Sequence, residues 1–128
     1  MRNTEEPDMS TPARQSAHGV TIGTRQAGPD TVVVHISGEI DMVSAPAFAQ
    51  GIDDALADAA RVVLDLTEVT FMSSAGITVL LTRTADAADR RIRLPIVADG
   101  APVIRPLQLT GLDAQLDLHT TLADALED

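Results

Sequence analysis

Apolar and polar positions change rhythm several times along the chain, and each rhythm predicts a different element. Residues 1–18 show none: Pro7, Pro12, polar side chains and scattered charge recur without apolar periodicity. That is the composition of a disordered arm. From Val20 to Thr24 apolar and polar positions alternate as on an edge strand, and Gly28-Pro29-Asp30 supplies turn chemistry. Residues 31–37 then form a β-branched run suited to a buried strand, so the two runs read as a hairpin. The run ends at Gly38-Glu39-Ile40-Asp41.

The period next becomes helical. Phe48, Ile52, Ala55, Leu56 and Ala59 make one apolar stripe, with Ser44 as its N-cap and Pro46 near the first turn. Residues 61–66 are a short apolar run of strand length. After Thr67-Glu68-Val69-Thr70-Phe71-Met72 and Ser73-Ser74-Ala75-Gly76, residues 77–85 are apolar enough for a largely buried helix continuing to Asp89. Residues 92–97 predict another strand, which Pro95 confines to an edge or an irregularity. Ala101–Leu109 reads as a helix with Pro102 near its start, Pro106 inside it and Gly111 just beyond. Leu116-Asp117-Leu118 predicts a brief strand, and Thr120 or Thr121 caps a closing helix holding Leu122, Ala123 and Leu126.

The resulting order, β-β-α-β-α-β-α-(β)-α, predicts an α/β fold. Its sheet is mixed and mainly parallel, of four to five strands, with about four helices packed on it, because strands separated by helices imply right-handed crossovers. The 128 residues suit one domain, from residue 19 to 128, behind the arm. With no Trp or Tyr and only Phe48 and Phe71, the core must be aliphatic.

Composition narrows the chemistry. Cysteine is absent, which excludes disulfides and thiolate catalysis, and His18, His35 and His119 show no ligand spacing, so no metal site or cofactor is predicted. The net charge is −10 and every basic residue is Arg, with no basic patch of the kind nucleic-acid binding requires. Neither a membrane span nor a secretory signal is visible, and the protein reads as cytoplasmic. The phosphate-loop, dinucleotide and nucleophile-elbow motifs are missing. A receiver-type phosphoacceptor at Asp65 would lean on a lysine that the chain lacks. Glu39 and Asp41, two apart in a loop without a nearby nucleophile, do not make an acid–base pair. The chain reads as a non-enzyme.

In such folds, sites gather where strands end and helices begin. Two loops there carry suitable chemistry: Gly38-Glu39-Ile40-Asp41 and Met72-Ser73-Ser74-Ala75-Gly76. A serine at a helix start can cap backbone N–H groups, and the same place stabilises an added phosphate. Gly76 is costly inside a helix, which points to close backbone approach by a kinase or partner.

The order and spacing of Gly38-Glu39-Ile40-Asp41, Val63-Leu64-Asp65-Leu66-Thr67 and Val69-Thr70-Phe71-Met72-Ser73-Ser74-Ala75-Gly76-Ile77 closely resemble the STAS domain of bacterial anti-sigma factor antagonists. Leu109-Thr110-Gly111-Leu112 and the closing Thr121-Leu122-Ala123-Asp124-Ala125-Leu126 extend the likeness from about Val20 to Leu126. The resemblance implies partner switching. The unphosphorylated protein would bind an anti-sigma factor, itself a serine kinase of the histidine-kinase-like ATPase type, and so free a sigma factor for transcription. Phosphorylation of one serine would end the capture, and a serine phosphatase would restore it. The usual family pattern at this loop is Asp-Ser-Ser-Gly with the first Ser phosphorylated. Matching on Gly76 places the acceptor at Ser74, with Ser73 where the family often has Asp and Ala75 where it often has the second Ser. Ser73 thereby becomes a competing site. Glu39, Asp41, Ser73, Ser74, Ala75 and Gly76 are the expected partner-binding residues, and a monomer is expected. The alternative is a phosphorylation-independent STAS scaffold or transporter-associated module.

Overall fold

A computed structural model of the chain describes residues 13–127; residues 1–12 and Asp128 lie outside the described residues. The chain runs β1 (Ala13–Ala17), β2 (Val20–Gln26), β3 (Thr31–Ile40), α1 (Ala45–Leu56), β4 (Arg61–Met72), α2 (Ser74–Asp89), β5 (Ile96–Val97), α3 (Ala101–Leu109), β6 (Leu118–His119) and α4 (Leu122–Glu127). A 3-10 turn at Leu112–Gln115 links α3 to β6. The strands form one sheet in chain order. Pairs β1–β2 and β2–β3 are antiparallel, whereas β3–β4, β4–β5 and β5–β6 are parallel. The mixed, mainly parallel α/β architecture read from the sequence is the observed one, with one strand more than expected.

That extra strand corrects the reading of the amino-terminus. Residues 13–17, assigned to the arm, pair with β2, so β2 is not the edge. The device is a two-residue turn at His18 and Gly19, both at positive φ (56° and 89°), the backbone twist that suits a tight hairpin. Gly19 is used again: its carbonyl accepts from the Glu39 N–H at 3.1 Å, and a side chain on Gly38 (φ 103°) would collide with that same carbonyl. The remainder of the expected arm falls on residues that are not described.

Alternation sorts the strand residues onto two faces. Val34, Ile36, Val62, Leu64 and Leu66 point into the larger core with Phe48, Ile52 and Leu56 of α1, Val79, Leu80 and Ala87 of α2, and Val103 and Leu107 of α3. Right-handed crossovers between strands that advance in one direction place successive helices on one face. Val33, Val63 and Val97 point the other way, into a small cluster closed by Ala125, Leu122 and Leu126 of α4. β4 is twice as long as the apolar run at its start. Its register against β3 slips between His35 and Ser37 and again between Gly38 and Glu39, so the strand bends and continues to Met72. The strand predicted for residues 92–97 is regular only at Ile96–Val97. Pro95 accepts from the Leu64 N–H (2.9 Å) but has none to give, which interrupts the ladder.

Candidate functional site

At the carboxyl rim of the sheet, β3 and β4 finish side by side. Ile40 stands opposite Met72, and the Ser73 N–H donates to the Ile40 carbonyl at 2.8 Å. The chain turns there into α2. Ser73 is extended (φ −84°, ψ 174°), and its Oγ accepts from the Gly76 N–H at 3.4 Å. Ser73 is therefore the N-cap, half-buried and committed to the helix. Ser74 is the first residue of α2 and is exposed. Its carbonyl accepts from the Thr78 hydroxyl at 3.0 Å, while its own Oγ has no hydrogen-bond partner among the described residues. The first turn of α2 carries no acidic side chain, so the N–H groups at that end keep their affinity for negative charge.

The two residues that follow face inward. Ala75 is half-buried and packs on the main core. Gly76 is buried, and a Cβ on it would press into Met72 Sδ and lie 2.8 Å from Ile40 Cγ2. The glycine expected to admit a partner's backbone instead admits the ends of the protein's own β3 and β4. Gly76 thus lets α2 start close to the sheet.

The neighbouring loop corrects a second expectation. Ser44 occupies the N-cap position of α1 but makes no side-chain cap bond. Fully buried, it donates from Oγ to the Glu39 carbonyl (2.8 Å) and accepts from the Asp41 N–H (2.9 Å). Asp41 supplies the other half of the latch: Oδ1 accepts from the N–H groups of Val43 and Ser44, both at 2.9 Å. The Ser44 N–H, the Ser44 hydroxyl and the Val43 N–H together hold the Asp41 carboxyl below its ordinary value of 3.8. Asp41 thus spends one carboxylate oxygen inside the loop, whereas Glu39 is exposed on the rim beside Phe71, its partner in register. Between the latch residues, Met42 and Val43 stand out in solvent.

The three histidines lie apart, and no group of three or more His, Asp or Glu among the described residues could hold a metal ion. His35 makes a contact that sequence reading missed. Its Nδ1 lies 2.8 Å from Oδ2 of Asp65, a nearly buried carboxylate whose Oδ1 accepts from the Thr67 hydroxyl (2.7 Å) and N–H (3.1 Å). The residues are thirty apart in sequence, and only the parallel pairing of β3 and β4 joins them.

This geometry, a mixed sheet delivering a capped serine pair to its carboxyl rim, has close relatives. The family model described as "STAS domain" matches residues 24–125. The chain belongs to the STAS domain family. A curated relative of this STAS domain is the anti-sigma-F factor antagonist RsfB of Mycobacterium tuberculosis, 37% identical over 95 residues, which are 73% of this chain and 77% of that protein. Among solved structures, an anti-sigma factor antagonist from Mycobacterium paratuberculosis superposes with a TM-score of 0.73 at 38% identity, covering 84% of this chain and 92% of its own. SpoIIAA of Bacillus in its unphosphorylated form shares the fold at 19% identity, with a TM-score of 0.68 over 83% of this chain and 93% of its own. No helix of the described residues is long and apolar enough to cross a membrane.

Proposed function

We propose that this STAS domain is an anti-sigma factor antagonist switched by phosphorylation of Ser74. In the unphosphorylated state it captures a cytoplasmic anti-sigma factor with serine-kinase activity, and so releases a sigma factor for transcription. The kinase esterifies Ser74 and ends the capture; a serine phosphatase hydrolyses the ester and restores it. The protein itself acts as a monomeric docking module and performs no catalysis.

The observation that carries this reading is the division of labour between two adjacent serines. Ser73 is tied into the helix cap, and Ser74 offers an exposed, unbonded hydroxyl one residue further on. A phosphate there brings roughly −1.5 to −2 charges at a helix N-terminus that tolerates them, so the fold survives while the surface becomes more negative and more strongly hydrated. A coupling of about 1–3 kcal/mol would alter partner affinity by roughly 5- to 150-fold. The names of the mycobacterial relatives, both anti-sigma factor antagonists, support the same partner class.

The test is incubation with ATP and a purified anti-sigma-F factor, followed by mass spectrometry. One phosphate is expected on Ser74 and none on the Ser74→Ala variant, with Ser74→Asp bound more weakly than wild type. Undiminished phosphorylation of Ser74→Ala, or tight binding by Ser74→Asp, refutes the switch.

A further inference from the structure

The rim beside Ser74 carries an apolar feature that folding does not use. Met42 and Val43 are 78% and 60% exposed, and both lie just beyond the end of β3. They form the tip of the loop that follows Ile40, whose carbonyl holds the Ser73 N–H. An exposed methionine and valine on a mobile loop would mean little. This tip is held: the N–H of Val43 is bound to Asp41, and the residues on either side are joined through the Ser44 hydroxyl to the end of β3. Apolar side chains fixed in place before docking give up less freedom on binding, which is where affinity is gained.

Resting on the reading of the protein as a partner-capturing antagonist, we propose that Met42 and Val43 are the apolar anchor of that capture. Asp41 and Ser44 are then positioning residues that hold the tip. The occupant is a different protein presenting an apolar socket rimmed by Arg or Lys. Charge decides this. Glu39 and Asp41 flank the anchor, and the whole chain carries −10. A second copy docking about a two-fold axis would set these carboxylates against their own equivalents, and a nucleic acid would set phosphates against them; both are repulsive. A basic-rimmed socket is complementary to the acidic flank and shields the two apolar side chains from water.

The experiment compares binding of a purified anti-sigma-F factor by the wild type, Ser74→Asp, the double variant Met42→Ser/Val43→Ser, Asp41→Ala and Asp41→Asn, with melting temperatures for each. The double variant changes only exposed side chains, so its melting temperature should stay within about 2 °C of wild type. Its affinity should fall by about tenfold or more, as for anchors at the centre of an interface. Asn keeps an Oδ1 that accepts from Val43 and Ser44 whereas Ala does not, so Asp41→Asn should recover most of what Asp41→Ala loses. Full affinity in the double variant overturns the anchor. Equal losses in Asp41→Ala and Asp41→Asn overturn the positioning role and make the charge the contact. A wild-type dimer that dissolves in the double variant makes a second copy the occupant and also overturns the proposal. If the wild type binds and Ser74→Asp releases while the double variant binds normally, the anchor fails and the switch stands. If the wild type is not bound at all, both fail.

Discussion

Helix propensity alone says that Gly76→Ala should stabilise α2, by up to about 1 kcal/mol. The packing at this position reverses the sign. The new methyl would overlap Met72 Sδ and sit 2.8 Å from Ile40 Cγ2, with Ile40 Cβ at 3.5 Å. Met72 can yield, because its thioether swings on three soft torsions. Ile40 cannot easily do so: its branch point is fixed by χ1, it is fully buried, and its carbonyl holds the Ser73 N–H. Overpacking of this kind costs about 1–3 kcal/mol. Subtracting the propensity gain leaves a net loss of about 1 kcal/mol, or about 4 °C in melting temperature for a domain of this size. Thermal unfolding followed by circular dichroism measures it. Pairing the change with Met72→Ala, which removes one of the two obstructing groups, should lose less than the sum of the single changes by about 0.5 kcal/mol or more. A Gly76→Ala variant as stable as wild type, or more so, would show that α2 has room to shift and that the glycine is not needed for the close start of the helix.

Three further outcomes follow from the same geometry. His35→Ala leaves Asp65 Oδ2 nearly buried without its partner and should cost about 1–3 kcal/mol, read as a lower urea midpoint at unchanged slope; His35→Gln, which keeps a donor, should recover part of it. Because the loop holds the Asp41 carboxyl below 3.8 in the folded state, its charge stabilises the fold above that pH and the contribution is lost as pH falls through the lower folded value; Asp41→Asn should remove this part of the acid sensitivity below about pH 4, and an unchanged acid profile would contradict it. Ser73→Ala deletes the cap of α2 and should cost about 1 kcal/mol in urea unfolding while leaving phosphate transfer to Ser74 intact; loss of the phosphate instead would move the acceptor to Ser73.

What the sequence made legible were features whose cause is local. The stripe Phe48, Ile52, Ala55, Leu56 and Ala59 predicts α1 because a 3.6-residue period must bury one face; the first four are buried in the helix, whereas Ala59 lies beyond its end at Leu56 and is half-buried. Ala101–Leu109 matches the predicted helix end for end, since Pro102 at its start and Gly111 after it act through their own backbones. Features set by distant partners were not legible. β1 has no apolar alternation and exists because His18 and Gly19 adopt a turn usually marked by Asn-Gly. The last half of β4 is hidden because two register slips break the period-2 pattern on which strand reading depends. Ser44 is a sound N-cap by residue type, yet the Glu39 carbonyl and the Asp41 N–H claim its hydroxyl first. Apolar residues are read as core by default, and nothing in Met42-Val43 announces that a latch turns both outward.

The serine pair shows how a departure from the family pattern can leave the site intact while changing its balance. An aspartate at position 73, common in the family, would accept the Gly76 N–H as Ser73 does, so the cap depends on an acceptor oxygen and not on charge. With serine there, α2 begins without any carboxylate in its first turn, and the attraction of its N-terminus for an anion is left unspent. Ser73→Asp should therefore raise stability by about 0.3–1 kcal/mol through the helix dipole. The same charge should make a phosphate on Ser74 less welcome, because like charges one residue apart repel. The gain in unfolding stability on phosphorylation should accordingly be smaller in Ser73→Asp than in wild type, measured by urea unfolding of both phosphorylated and unphosphorylated forms. No gain on phosphorylation of the wild type would show that the helix end does not hold the phosphate. The switch would then act wholly through the docking surface, with no stabilising contact inside the domain.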